Sequence, residues 1–395
     1  MGPLPVSRSD RPAPKLLAGI LFLGLLLRIW VSFFSHLPNL HRDSQEYIKQ
    51  ADAILSGGYI NFFPNGYPFI IAGVKALFPA HFISILVWMQ VLMSTAIIYF
   101  GYGITRLVAK SERAALLAAV ILAIFPSQIN YTRWLITEMP TGFFLFGAYF
   151  FFYRGWRWWS GLFFGIAIVI RTEMLPVLIL IFLLQLSWKG SRGLLAGRKR
   201  WDLLFWVGVL VPILFTGGYC YEKTGHFSLA GNGQVNMVLS VTASGSYIDW
   251  SYPDHHPEIN TSGKALESYF GGLRTDPAGF IKRRWANFWE LWGFYPSSAD
   301  GTRGMGTRLV IGFGNLFLVV CGLAGWWPRR RDLSVFILLL PFLLVTAIHI
   351  FLFAMQRYTS PVEPFNIVLA SVFLASLAGW VRSGVRGVGA AGEAR

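Results

Sequence analysis

Charge is what this 395-residue chain has least of: Asp, Glu, Lys and Arg make up 13% of it, about half the roughly 25% that soluble domains carry. Cysteine is nearly absent. Cys220 and Cys321 fit neither a disulfide framework nor metal-ligand spacing; both lie in or beside apolar runs and read as small apolar filler. No GxxxxGK[ST] and no GxGxxG between a strand and a helix occur, so no nucleotide-binding motif is present. No internal repeat is visible, which leaves an inverted-repeat transporter little support. In excess are apolar residues, at 54%, and aromatic ones, at 16%, gathered into long runs. Disorder, a disulfide-stapled secreted scaffold and a soluble enzyme are excluded; the chain reads as a polytopic membrane protein.

A span needs about 20 apolar residues. Ten candidates follow: 15–35, 82–107, 113–128, 137–153, 158–171, 173–188, 202–221, 307–327, 333–353 and 363–381. The first follows a basic stretch but is followed by Trp30, Phe33 and Phe34 rather than a small-residue cleavage site, and reads as an uncleaved anchor. With the N-terminus inside, the cytoplasmic connectors hold 19 Lys and Arg and the short outer ones hold 6, as the positive-inside rule requires. The net charge of +15 is therefore a topology signal, and nucleic acid is not an expected partner. The basic stretch Lys189 to Arg200 faces anionic lipid in this orientation.

Three regions result: an N-terminal transmembrane module over 1–221 with an outer loop at 36–81, an extracytoplasmic loop over 222–306, and a C-terminal module over 307–395. The first loop holds a polar helix-like stretch from Arg42 to Leu55, a turn Pro64-Asn65-Gly66-Tyr67-Pro68, and an apolar segment from Phe69 to Phe78 that is too short to span. In the long loop, Ile281 to Leu291 sets Lys282, Arg283 and Arg284 beside Trp285, Phe288 and Trp289, the composition of an amphipathic helix lying in the outer interface.

Charges in or at the edge of a bilayer are costly and so are functional candidates. Arg28 lies mid-span, where structural pairing within the bundle and function weigh equally. Asp43, Glu138, Arg171, Glu173 and Arg357 all fall on the outer side. Residues three and four apart share a helix face, so Asp43, Glu46 and Tyr47 are expected to present together. A carboxylate with several arginines beside a lipid-accessible aromatic helix suits a lipid-linked phosphate. Arginine grips phosphate oxygens with a planar fork, and a carboxylate can deprotonate an attacking hydroxyl. His41 lies two residues from Asp43 with His36 nearby, which makes a divalent metal ion the one candidate cofactor. Neither that spacing nor His255-His256 matches a recognised ligand set. The GxxxG from Gly161 to Gly165 reads as close helix packing.

On these residues the chain resembles the GT-C membrane glycosyltransferases that use polyprenyl-phosphate sugars. It is most similar to bacterial relatives of the protein O-mannosyltransferases and of the lipid A aminoarabinose transferase (glycosyltransferase family 39-like). The resemblance is carried by Arg28 before Asp43-Ser44-Gln45-Glu46-Tyr47 and Ala51, by Tyr67-Pro68, and by Thr137-Glu138-x-Pro140. It continues through Gly161-x-x-x-Gly165 before Arg171-Thr172-Glu173, then Thr224-Gly225-His226-Phe227, Gly231-Asn232-Gly233 and Asp276-Pro277. Arg357-Tyr358-x-x-Pro361-x-x-Pro364 completes it.

The resemblance implies an all-α, GT-C-like membrane protein of about ten transmembrane helices, with extracytoplasmic interfacial helices and one long outer loop. It implies an inverting glycosyltransferase of the inner (plasma) membrane that acts on its extracytoplasmic or periplasmic face, taking a polyprenyl-phosphate sugar and an extracytoplasmic lipid, glycan or protein acceptor. Asp43 would be the general base, Arg171 and Arg357 would hold the donor phosphate, and Glu138 and Tyr358 would line the cavity, with Glu46, Tyr47, Tyr67 and Glu173 as further donor-site residues. The sequence departs from the family pattern where Ser44 replaces the second acid of the mannosyltransferases and where Tyr67 precedes Pro68 in place of a lysine. The competing readings are a lipid or glycan flippase and a non-catalytic partner of the same architecture.

Overall fold

The computed structural model describes residues 13–35, 40, 42–187, 201–245, 247–259, 261–293 and 305–392; no β-strand occurs among them. The helices begin with α1 (Pro14–Ile29), which runs into a π-helical turn at Trp30–Ser35, then α2 (Arg42–Leu55) and α3 (Gly66–Leu77). Next come α4 (Phe82–Ala109), α5 (Glu112–Ile124), α6 (Pro126–Asn130), α7 (Glu138–Arg154), α8 (Arg157–Ile170), α9 (Met174–Ser187) and α10 (Trp201–Thr224). The long loop folds into α11 (Gly233–Ser240), α12 (Tyr252–His255), α13 (Ser262–Thr275) and α14 (Pro277–Leu291). The chain continues with α15 (Met305–Trp326), α16 (Leu333–Phe351) and α17 (Glu363–Gly392).

A helix lies at each of the ten predicted spans. Among the described residues five stretches are long and apolar enough to cross a membrane, and a sixth is if α5 and the segment Pro126–Arg133, bent by 52° from it, count as one. Helices α8 and α9, of 14 residues each, rise only about 21 Å at 1.5 Å per residue, against a hydrocarbon core of about 30 Å. Ten full crossings is more than helix length alone supports.

The bend explains Arg28. Beyond Leu122 a regular helix would pair its carbonyl with the N–H of residue 126, but Pro126 has none, and Phe125 before it is extended. Arg28, wholly buried, supplies the missing donors: Nη2 to Leu122 at 3.0 Å, Nη1 to Ala123 at 3.0 Å and to Gly24 at 2.9 Å, and Nε to Ser94 Oγ at 2.7 Å. Of its two readings the structural one holds. Cys220 and Cys321 are buried and unpaired thiols.

The GxxxG also packs as expected. A Cβ on Gly161 would lie 2.0 Å from the Phe205 carbonyl oxygen, and one on Gly208 2.7 Å from that of Trp158, so α8 and α10 touch backbone to backbone. The same constraint seats the first loop: a Cβ on Gly66 would lie 2.6 Å from the Val169 carbonyl oxygen. That contact presses the start of α3 against the last turn of α8, two residues before Arg171. Above it, Tyr47, Ala51, Tyr67 and Ile71 form a small core with Leu86, Leu135 and Ile170.

Helix α14 begins four residues earlier than expected, because Asp276 caps it through the Gly279 N–H at 2.9 Å and Pro277 opens it. Ile281 and Trp285 face outward, as an interfacial helix requires. Arg284 turns the other way, with 6% exposure. Its Nη1 reaches the Phe351 and Leu352 carbonyls and its Nη2 those of Ser240 and Ala243. Asn287 binds the Ile350 carbonyl at 3.0 Å and the Gly245 N–H at 2.9 Å. The long loop is thus tied to the end of α16.

Replacing Arg28 by Met leaves two helix-end carbonyls unpaired and should destabilise the fold by about 2–4 kcal/mol. Thermal unfolding in detergent reads this, and unfolding at the wild-type temperature would contradict it.

Candidate functional site

Four segments far apart in sequence meet beyond the ends of α7 and α8: the first turn of α2, the first turn of α7, the tip between α8 and α9, and the 3-10 turn Gln356–Thr359. Each contributes charge. Arg357 Nη2 donates to Asp43 Oδ2 at 2.5 Å, and Arg357 Nε lies 3.4 Å from Glu138 Oε1. That same oxygen lies 3.5 Å from Arg171 Nη1, while Arg171 Nε is 2.9 Å from Glu173 Oε1. Glu173 Oε2 is 3.1 Å from His349 Nε2 on α16. The result is an alternating line of Asp43, Arg357, Glu138, Arg171, Glu173 and His349, with side-chain exposures from 3% to 24%. Tyr358 lies beneath it, with its ring centre 5.1 Å from the Arg171 guanidinium and 5.5 Å from that of Arg357.

The turn carrying Arg357 is fastened from below. Gln128 Nε2 donates to the Ser360 carbonyl at 2.9 Å, and Glu363 accepts from Thr359 Oγ1 at 3.2 Å and from Ser127. A Cβ on Gly142 of α7 would sit 3.3 Å from Pro361 Cα, so the turn rests directly on the helix that presents Glu138.

Burial would raise the Glu173 carboxyl, but Arg171 and then His349 outweigh it and hold it down at about 2. Burial, reinforced by the carboxylates of Glu138 and Asp43, pushes the Tyr47 phenol well above its ordinary range. Burial likewise keeps Tyr358 a neutral phenol despite the two guanidiniums above it. The site therefore offers an ionised Glu173 carboxylate, two guanidiniums and phenol hydroxyls that remain donors.

Of the residues singled out from sequence, Asp43, Tyr47, Glu138, Arg171, Glu173, Arg357 and Tyr358 come together. Tyr67 joins through Tyr47, edge-on at 5.5 Å. Glu46 does not: Tyr47 packs into the loop core, and one helical residue is a turn of ~100°, so Glu46 faces outward at 44% side-chain exposure, 3.9 Å from Lys49. The expected common face holds for Asp43 and Tyr47 alone. His36 and His41 lie outside the described residues, as does the segment Lys189 to Arg200. His256 pairs with Glu258 on an exposed stretch. Among the described residues no three His, Cys, Asp or Glu side chains converge as a metal ion would require.

No protein-family model and no curated protein sequence matches the chain. Solved structures do. The archaeal oligosaccharyltransferase AglB from Archaeoglobus fulgidus, in complex with an inhibitory peptide and a dolichol-phosphate, superposes with a TM-score of 0.52 at 12% identity, over 96% of this chain and 52% of that one. ArnT from Cupriavidus metallidurans, bound to undecaprenyl phosphate, superposes with a TM-score of 0.53 at 16% identity, over 92% and 60%. The fold is GT-C. This GT-C chain spans about half the length of the oligosaccharyltransferase and three fifths of ArnT.

Two features of this cluster are not marked by formal charge or local pattern in the sequence. His349 carries no fixed charge, although an imidazole inside a 19-residue apolar helix is as conspicuous by the same cost argument. Gln128 and Glu363 brace the turn through contacts more than 230 residues apart in sequence, which no local pattern announces.

Because the folded Glu173 carboxyl lies near 2, below its ordinary 4.5, its stabilising contribution is complete above about pH 4.5 and is lost as pH falls toward 2. The difference in unfolding temperature between wild type and Glu173→Gln should be largest near neutral pH and shrink over that acid window. A difference that grows on acidification would contradict this.

Proposed function

We propose that this GT-C chain is an integral-membrane glycosyltransferase that moves a sugar from a polyprenyl-phosphate donor to an acceptor hydroxyl or amine at the outer face of the inner (plasma) membrane. The acceptor is an extracytoplasmic lipid, glycan or protein. The observation that carries this reading is the meeting of Arg171 and Arg357 on one oxygen, Glu138 Oε1, at 3.5 and 3.4 Å. Two guanidiniums that converge on a single anionic oxygen form a site a phosphate can enter, and planar forks bind phosphate well. Structures of the same fold bound to dolichol-phosphate and undecaprenyl phosphate support that choice of ligand.

In the reaction the acceptor oxygen or nitrogen attacks the anomeric carbon and the bond to the polyprenyl phosphate breaks on the opposite side, with inversion. Asp43 takes the acceptor's proton as the general base. The departing phosphate keeps the electron pair, and its growing charge is met by Arg171 and Arg357. Donor binding also readies the base, since a phosphate that draws Arg357 toward itself loosens its hold on Asp43. Tyr358 supports both guanidiniums, and Tyr47 and Tyr67 wall the site beside Glu138.

Membranes holding wild type or Asp43→Asn, supplied in turn with radiolabelled polyprenyl-phosphate sugars, test this. Wild type should release label from the lipid carrier into an acceptor fraction, and Asp43→Asn should be slower by about 10²–10⁴-fold. Equal release by both proteins would remove Asp43 from the chemistry. Passage of intact donor across the bilayer without release would instead mark a flippase.

A further inference from the structure

Arg171 stands between two carboxylates, and its freedom to meet a phosphate depends on how tightly each holds it. An arginine and a carboxylate prefer a two-pronged contact, both oxygens on the fork. Glu173 divides its two oxygens instead: Oε1 lies 2.9 Å from Arg171 Nε and Oε2 lies 3.1 Å from His349 Nε2. His349 is itself fixed. Its Nδ1 lies 3.2 Å from the Phe353 carbonyl oxygen, which can only accept, so Nδ1 donates there; Nε2 faces a second acceptor, Glu173 Oε2, and the two contacts together need both ring N–H groups, the imidazolium form. The ring is 5% exposed and stacks on Tyr358 with centroids 4.3 Å apart and planes 23° from parallel. One buried side chain thus touches both the carboxylate that competes for Arg171 and the phenol on which Arg171 and Arg357 rest.

We propose that His349 is a positioning residue for the donor phosphate: by occupying Glu173 Oε2 it keeps Glu173 from closing on Arg171 and leaves that guanidinium available. Without His349, Glu173 swings both oxygens onto Arg171, and an incoming phosphate must displace a two-pronged ion pair rather than a single contact. The inference rests on the donor reading above and adds to it a residue that touches neither substrate nor the reacting atoms.

The test is binding of a fluorescent undecaprenyl phosphate to the detergent-solubilised full chain, in wild type, His349→Phe, His349→Gln and the double variant Glu173→Gln/His349→Phe. Phenylalanine keeps the stack on Tyr358 and loses both N–H groups, so binding should weaken on the order of tenfold. Glutamine retains an N–H and should hold near the wild-type affinity. In the double variant the competing charge is gone, and affinity should return most of the way, which a merely structural defect would not allow. His349→Phe binding as tightly as wild type, or a double variant as weak as His349→Phe, would overturn the proposal. Wild type that does not bind undecaprenyl phosphate would remove the donor reading itself and this inference with it.

Discussion

A guanidinium taken almost wholly out of water must have its charge matched at close range, because desolvation costs several kcal/mol unless ion pairs and hydrogen bonds repay it. Arg357 is matched by two carboxylates, Asp43 and Glu138, and the first lies 314 residues away in sequence. Satisfying that one charge requires the first outer loop, the start of α7 and the turn after α16 to arrive together. Arg171 imposes the same demand on the tip between α8 and α9. The closeness of Gly66 to Val169, of Gly142 to Pro361 and of Gly161 to Phe205 is what lets these backbones approach near enough to meet it.

Arg28, Arg284, Arg171 and Arg357 fall into two kinds, separated by what they touch. Arg28 and Arg284 spend their donors mainly on backbone carbonyls that helix ends leave unpaired, and so act as fasteners. Arg171 and Arg357 face carboxylates, and a carboxylate can be exchanged for another oxyanion. A carbonyl fixed in a helix terminus cannot be exchanged in this way without undoing the helix. Partner type thus separates scaffold from site among residues that look alike in the sequence.

Much of this was legible from the residues. Apolar runs placed a helix at every expected span, and the polar stretch Arg42 to Leu55 coincides with α2, because runs and breaks are local properties. Asp43, Glu138, Arg171, Glu173 and Arg357, expected on one side from counting Lys and Arg across connectors, do meet in one cluster, and a common side is a strong restriction on where charges can meet. What could not be read was direction around a helix axis. Arg284 turned inward among basic neighbours because the carbonyls of Phe351 and Leu352 lay within its reach, and Glu46 turned outward because Tyr47 had the better claim to the core. Nor does the sequence count crossings, because α8 and α9 are as short as buried helices of soluble proteins.

Arg171 and Arg357, in the proposed mechanism, form an oxyanion site whose present occupant is Glu138. The most direct measurement is an electron cryomicroscopy structure of the full chain in lipid nanodiscs with undecaprenyl phosphate. Phosphate density within hydrogen-bonding distance of both guanidiniums, with the Arg357 contact to Asp43 lengthened, is the expected result. Phosphate density elsewhere on the protein, with Asp43, Arg357, Glu138 and Arg171 still paired as they are here, would contradict it.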